Sequence, residues 1–170
     1  SEQSRGRGIF IKNVQGGNAA LLSGTGSRDS STAWSPDGRS IAHLRRVGSG
    51  SALHELMVTP SSDGAPGRMV ARFNTVLDAG LTWSPDGKSL VVASNEGSEQ
   101  RIALYAVSLA DGRIRRLTDP PADAAPFGDR TPAFSPDGSR LAFSRRLAYA
   151  SSDVFVVPVN ARLETVGPPR

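Results

Sequence analysis

Three aspartates at equivalent places in a repeat are the side chains best suited to bind a ligand. Asp29, Asp78 and Asp129 each precede an aromatic residue by five positions. A ring of such carboxylates could hold a cation or a basic peptide. Calcium, however, needs about six to eight oxygen ligands, so one carboxylate per repeat falls short without waters and carbonyls. The alternative, which we favour, is that each aspartate caps backbone N–H groups where the chain enters a strand.

Two pairs of arginines end equivalent strands of the same repeat. Arg45–Arg46 belongs to the first copy and Arg145–Arg146 to the third. Arginine side chains are mostly exposed unless a carboxylate neutralises them. We therefore expect these pairs to face solvent or the carboxylates of a neighbouring repeat unit, and ligand binding is the less favoured alternative.

No catalytic set of residues can be recognised in the sequence. His43 and His54 are the only histidines, and His43 takes the repeat position that holds Val92 and Phe143 in the later copies. We therefore expect His43 to replace a packed apolar residue. Neither a Ser–His–Asp set nor a glycine-rich phosphate loop before a helix is present. The sequence predicts no catalytic residue, no metal site and no cofactor, and it predicts that the chain is not an enzyme.

The composition is that of a globular chain with dispersed charge. Hydrophobic residues make up 38%, and 20 Lys and Arg against 16 Asp and Glu give a net charge of +4. The basic residues form no block, which argues against nucleic-acid binding. Cysteine is absent, so disulfides and thiolate metal sites are excluded. No apolar run approaches membrane-spanning length, so no membrane insertion is predicted.

The elements that must position these residues are built on a repeated turn. An aromatic residue followed by Ser-Pro-Asp-Gly begins at Trp34, Trp83 and Phe134, with spacings of 49 and 51 residues. A fixed period of this size indicates one supersecondary unit used repeatedly. Proline presets φ at its turn position, aspartate bonds back to the backbone, and glycine accepts a positive φ. Each copy therefore predicts a β-hairpin with a type I turn and a glycine bulge.

Each copy is predicted to continue into four antiparallel strands in meander order. The large aromatic residue of the motif alternates with a small neighbour, which suits face-to-face packing of sheets. Four-stranded sheets stacked radially are the blades of a β-propeller. The predicted fold is therefore all-β, one partial propeller over residues 1–170 with about three and a half blades. The predicted units are a half blade at 8–22 and blades at 29–73, 78–118 and 129–166.

Three segments are less regular than the rest of the repeat. Residues 53–59 contain Leu, Glu and Met, which favour a helix, but the later copies carry strands at this place, so we predict a strand. The loop 119–130 is rich in Pro and Ala, and we expect its Phe127 to be exposed. The last strand of the third copy is weak and is predicted near 163–166.

The hairpin and the strand that ends the second copy resemble a known family. The aromatic-Ser-Pro-Asp-Gly hairpin, followed by two strands and Arg115-Arg116-Leu117-Thr118, resembles the TolB-like or WD-repeat-like propeller, from Gly8 to about Val166. The run from Arg116 to Gly138 is similar to propellers attached to bacterial winged-helix regulators and Ser/Thr kinases. The first copy departs from the pattern with Val70-Ala71-Arg72-Phe73. The resemblance implies a fold more than a function, because such blades serve many unrelated proteins.

The resemblance also places the candidate site and leaves two functions open. In a propeller, Asp29, Asp78 and Asp129 lie at the rim of the central channel, so they are the candidate ligand-binding residues. We favour a non-catalytic interaction or sensor module that presents loops to a protein or peptide partner. The alternative is the substrate-gating propeller domain of a larger peptidase or hydrolase, as in prolyl-oligopeptidase-like and tricorn-like proteins.

The number of blades carries an expectation about assembly and location. Propellers of this family usually have about six blades, so three and a half blades do not close a ring. We expect the remainder of a longer chain, or a homo-oligomer, to complete it. For a bacterial protein of this type we expect the periplasm rather than the cytoplasm.

Overall fold

The chain folds into β-strands that form four antiparallel sheets. The computed structural model describes residues 8–23, 28–48, 53–62, 65–73, 80–96, 101–124, 126–148 and 151–170. The strands are β1 (Phe10–Ile11), β2 (Ala20–Leu21), β3 (Arg28–Trp34), β4 (Ser40–Arg46), β5 (His54–Pro60), β6 (Arg68–Phe73), β7 (Leu81–Trp83), β8 (Ser89–Ser94), β9 (Ala103–Ser108), β10 (Ile114–Arg116), β11 (Gly128–Phe134), β12 (Arg140–Ala148) and β13 (Ser151–Pro158). A single turn of 3-10 helix at Ala122–Ala124 precedes β11. Over these described ranges, no helix is long and apolar enough to cross a membrane.

Each sheet consists of strands that follow one another along the chain. A hairpin of β1 and β2 comes first, and we call β3–β6 the first sheet, β7–β10 the second and β11–β13 the third. All pairings within the sheets are antiparallel. The strand predicted ambiguously at 53–59 is a strand, β5. The meander of four-stranded sheets confirms the predicted all-β propeller blades.

The third sheet lacks the fourth strand that was predicted near 163–166. In that place an isolated bridge joins Val159 and Thr165, and a few backbone hydrogen bonds, such as that from the Val166 N–H to the Pro158 carbonyl, hold the segment against β13. Leu163 adopts a positive φ of 57°, and the Asn160 side chain accepts hydrogen bonds from the backbone N–H of Arg162 and Glu164. This local loop breaks the extended conformation, so the segment does not pair as a continuous strand.

The repeated Ser-Pro-Asp-Gly segment forms the same turn in all three copies. In the second copy, the Ser84 hydroxyl donates to Asp86 Oδ1 at 2.6 Å, and the Lys88 N–H donates to the same oxygen at 3.0 Å. The Gly87 N–H donates to the Ser84 carbonyl, and Gly87 has a φ of 69°. The equivalent Ser–Asp hydrogen bonds in the first and third copies are also 2.6 Å. The turn predicted from proline, aspartate and glycine is confirmed.

The three larger sheets stack face to face through two apolar cores. The core between the first and second sheets includes Leu44, Leu56, Phe73, Trp83, Leu90 and Tyr105. The core between the second and third sheets includes Val91, Leu104, Leu141 and Phe143. Successive residues of a strand point to opposite faces, so in β8 one residue enters each core in turn. The first strands β3, β7 and β11 also lie against one another.

The motif aromatics face the preceding sheet, and this decides how buried they are. Trp83 is 7% exposed and donates its indole N–H to the Ala33 carbonyl of the first sheet at 3.0 Å. Trp34 points away from the second sheet and is 54% exposed. Phe127, which we expected to be exposed, is buried under the Arg146 guanidinium, whose carbon lies 4.6 Å from the ring centroid.

Truncating Trp83 should loosen the contact between the first and second sheets. We expect Trp83→Ala to lower the free energy of unfolding by about 3–5 kcal/mol, the usual cost of emptying a buried aromatic site. Trp34→Ala removes the same atoms from a half-exposed position and should cost at most about 1 kcal/mol. Urea unfolding of both variants measures the difference, and equal losses would show that Trp83 does not join the sheets.

The turn carboxylate of the third copy should titrate at low pH. The Ser135 hydroxyl, then the Ser139 backbone N–H and hydroxyl, hydrogen-bond Asp137 and lower its pKa from 3.8 to about 2. Because the folded-state pKa is depressed, the turn's stabilisation is present above about pH 4 and is lost as pH falls through about 2. NMR titration of the carboxyl carbon should find the Asp137 midpoint near 2. Ser135→Ala should raise that midpoint and Ser144→Ala should leave it unchanged; no response to Ser135→Ala would contradict the assignment.

Candidate functional site at the start of the first strands

The predicted carboxylates lie where the first strands of the sheets begin. Asp29 is near the start of β3 and Asp129 near the start of β11, and both side chains are fully buried. Asp78 lies outside the described residues. Strand β7 lies against both β3 and β11, so the first strands of successive sheets are neighbours. The structure therefore puts the described candidates in buried positions at the starts of the first strands.

A bulge follows each carboxylate in the first and third copies. The pairing register shifts between Ser30 and Ala33 in β3, and at the matching place in β11. Ser31 and Thr131 have φ values of 49° and 50°, and Gly80 has 98° at the same repeat position. A Cβ added at Gly80 would lie 3.2 Å from the Thr131 Cα, so β7 and β11 approach closely there. Bulges re-aim side chains at strand ends, and the sequence analysis missed them because Ser, Gly and Thr share no obvious signal.

Both described carboxylates pair with an arginine of their own sheet. Asp129 accepts two hydrogen bonds from Arg145, from Nε at 2.6 Å and from Nη2 at 2.9 Å. Asp29 accepts one from Arg45 Nε at 3.2 Å. These residues are direct partners across the β11–β12 and β3–β4 ladders. For Arg45 and Arg145, the carboxylate partner thus lies in the same sheet and not in a neighbouring blade, while the Arg45 side chain remains 30% exposed to solvent.

The ion pair of the third sheet is held by aromatic side chains as well as by hydrogen bonds. The Arg145 guanidinium carbon lies 5.5 Å from the Phe143 ring centroid and 5.0 Å from that of Phe155. The hydrogen bond to Asp129 is the main cause that raises the pKa of Arg145. Because both oxygens of Asp129 already accept hydrogen bonds from Arg145, they are poorly placed to coordinate a cation. The part of the chain that the structure describes contains no group of three or more metal-ligating side chains.

The second sheet breaks the repeat of carboxylate and arginine. Ser94, fully buried, takes the position in β8 that Arg45 and Arg145 take in their sheets. The aspartates thus recur in all three copies of the sequence, whereas the arginine position of the repeat holds serine in the second copy.

A buried polar chain runs from Asp29 through His43 to Thr59. The His43 Nδ1 lies 3.6 Å from Asp29 Oδ1, and its Nε2 lies 3.1 Å from Thr59 Oγ1. His43 is fully buried, as expected for a packed position, but the order carboxylate–imidazole–hydroxyl was not foreseen. A Cβ added at Gly67 would lie 2.1 Å from Thr59 Oγ1, so no substrate reaches this hydroxyl. Only the contact of Nε2 with Thr59 is a hydrogen bond, because the buried Nδ1 has no hydrogen-bond partner at 3.6 Å from Asp29. The three groups are therefore not a nucleophile with its base.

A cleft opens between the repeated turns of the first and second sheets. It has a volume of about 560 Å³, and its walls include Asp37, Asp86, Arg68 and Trp83. Hydrogen bonds from Ser35 and Ser84 are the main causes that lower the pKa values of the two aspartates. Arg68 is already engaged, because its Nη2 donates to the Leu109 carbonyl at 3.2 Å. The cleft lies at the turn end of the strands, away from the buried carboxylates.

Comparison with known proteins gives one curated relative and many structural matches. No protein-family model matches the chain. The uncharacterized peptidase YuxL of Bacillus subtilis is 31% identical over 139 residues, which are 82% of this chain and 18% of that protein. An oligogalacturonate lyase in complex with manganese matches with a TM-score of 0.66 and 17% identity, over 91% of this chain and 42% of that one. A puromycin-hydrolyzing peptidase of Mycobacterium tuberculosis matches with a TM-score of 0.60 and 22% identity, over 87% of this chain and 23% of that one.

These likenesses support the propeller fold and correct one prediction. The chain spans less than half the length of each of these proteins. They give no support to the finer resemblance, to propellers of winged-helix regulators and kinases. The prediction that the chain is not an enzyme is wrong, because its relative is called a peptidase and the structures are a lyase and a hydrolysing peptidase. The comparisons thus support a likeness of this chain to the propellers of peptidase-related proteins.

Removing the carboxylate of the third sheet should leave a stranded guanidinium. The Arg145 side chain is 12% exposed, so Asp129→Asn should cost about 3 kcal/mol of unfolding free energy, the low end for a broken buried pair. Asp29→Asn should cost about half as much, because the Arg45 side chain is 30% exposed and reaches water.

The double variant separates lost attraction from stranded charge. Adding Arg145→Met to Asp129→Asn should restore most of the loss, because an apolar chain of similar length packs on Phe143 and Phe155. Urea unfolding at constant pH measures all four proteins. A double variant no more stable than Asp129→Asn alone would contradict this account.

Proposed function

We propose that this chain is part of the substrate-gating propeller domain of a larger peptidase or hydrolase. The observation that carries the proposal is its 31% identity, over four fifths of its length, to a protein called a peptidase. Of the two functions left open by the sequence, the interaction module has no comparable support. A propeller beside a hydrolase domain selects substrates by letting only extended chains reach the active site.

The stacking of the sheets suits such a gate. The first strands lie together, and their starts are fixed by buried ion pairs and by bulges with unusual backbone angles. A gate that sorts substrates by size needs a rim that does not yield. Buried charge pairs with two hydrogen bonds restrict side-chain orientation more than apolar contacts do. The strand starts described above supply that rigidity.

The exposed face of the first sheet fits a larger propeller. Trp34 is half exposed on this face, whereas Trp83 at the same repeat position is buried against the preceding sheet. A further blade on this face would cover Trp34 and accept its indole N–H, as the Ala33 carbonyl accepts that of Trp83. The remainder of a longer chain, or a second copy, would supply that blade.

The open reading frame that encodes this chain gives the first test. We expect it to encode a hydrolase domain beside the propeller, and an open reading frame without one would overturn the proposal. The full-length product should cleave a short chromogenic peptide and a long unstructured peptide. It should not cleave a folded protein that contains the same cleavage sequence. Cleavage of the folded protein at the rate of the short peptide would count against a gate.

A variant of the blade contact tests gating within the same enzyme. Trp83→Ala should raise kcat/KM for the long peptide relative to the short one, because looser sheets widen the passage. Lys88→Ala changes an exposed turn side chain and should leave that ratio unchanged. Both are assayed at a temperature where circular dichroism shows the variants folded. An unchanged ratio in Trp83→Ala would show that the blades do not gate access.

A further inference from the structure

Arg130 carries a positive charge that nothing in the described ranges neutralises. Its Nε atom is buried and has no hydrogen-bond partner. The backbone carbonyl of Arg130 accepts a hydrogen bond from Ser144, but within the described part of the chain no ion pair reaches its guanidinium. A buried donor that has lost its water without gaining an acceptor is unfavourable. A ligand with an acceptor oxygen would supply the missing partner.

A second guanidinium, that of Arg146, acts on Arg130 through its charge. Arg130 is in register with Ser144, and Arg146 lies two residues further along β12, so both arginines are on one face of the sheet. Arg146 is held by its contact with the Phe127 ring and by a hydrogen bond from its Nε to the Ala148 carbonyl. Burial, and then the charge of Arg146, lower the pKa of Arg130.

The carboxylate beside Arg130 is not available to it. Asp129 is the next residue, but its side chain lies on the opposite face and binds Arg145 with both oxygens. The third sheet therefore carries the Asp129–Arg145 ion pair on one face and the guanidinium groups of Arg130 and Arg146 on the other.

The fold itself does not require an arginine at this position. Ser30 occupies the equivalent place in β3, one residue after Asp29 and before the same bulge. The first sheet forms the same register with serine there. The half-buried Arg130 side chain, with its buried Nε, is thus an addition to the blade pattern that the packing of the sheet does not require.

We propose that Arg130 and Arg146 form a binding site for a carboxylate group of a ligand at the start of β11. A guanidinium group presents paired N–H donors that match the two oxygens of a carboxylate. Arg130 supplies an unpaired donor, its Nε–H, and Arg146, whose guanidinium lies over the Phe127 ring, supplies a second positive charge. The ligand is a peptide with a free C-terminal carboxylate or an acidic side chain. The assignment of the carboxylate to a peptide rests on the proposed function. The carboxylate site itself does not depend on that function.

Binding to the 170-residue chain tests the site with simple probes. Isothermal titration calorimetry would compare an N-acetylated tetrapeptide with a free C-terminus, its C-terminal amide, glutarate and inorganic phosphate. We expect the free peptide to bind at least ten-fold more tightly than the amide. Arg130→Gln should weaken its binding at least ten-fold, whereas Arg140→Gln, at the far end of β12, should leave it unchanged. Carboxylate binding that does not respond to Arg130→Gln, or tighter binding of phosphate, would overturn the site.

A second measurement separates binding from a structural role. Because Arg130 has no partner in the described structure, Arg130→Gln should keep or raise the melting temperature of the free chain. Glutarate should raise the melting temperature of the parent chain but not that of the variant. A large fall in the melting temperature of Arg130→Gln would overturn the proposal. If glutarate binding depends on Arg130 but the peptide and its amide bind equally well, the carboxylate site is supported. The peptide is then rejected as its ligand.

Discussion

The contact between successive sheets through the motif aromatic is the interaction on which the rest of the structure depends. Trp83 fills the space between the first and second sheets and ties its indole N–H to the Ala33 carbonyl. An aromatic residue with one polar atom can bury a large area and still satisfy that atom. The contact fixes both the separation of the sheets and their lateral position. The first strands therefore lie beside one another, with the carboxylates and bulges at their starts.

Much of this architecture follows from the sequence, for physical reasons that are local. Proline, aspartate and glycine determine their turn through backbone angles and one short hydrogen bond, so three copies fold alike. Strand alternation then determines which residues enter each core. The fourth strand of the third sheet was misjudged because the loop at Asn160 and the positive φ of Leu163 depend on side-chain hydrogen bonds that composition does not reveal.

The candidate site was harder to predict, because it depends on register. Recurrence identified Asp29 and Asp129, but their partners Arg45 and Arg145 are 16 residues away along the chain. A bulge of one residue decides whether two such side chains meet across a ladder. The hydrogen bond of His43 to Thr59 and the position of Arg130 beside Arg146 arise in the same way. Residue types suggested a row of carboxylates, and register turned two of them into ion pairs with arginines of their own sheets.

The two middle strands of the second sheet lie between two cores, and this has a mechanical consequence. Along β8 and β9 nearly every side chain is buried, because successive residues of each strand enter different cores. The exposed side chains of β10, Arg115 and Arg116, lie at the edge of the sheet. A displacement of β8 or β9 therefore changes both interfaces together, and we expect a shift of the first sheet to be felt at the third.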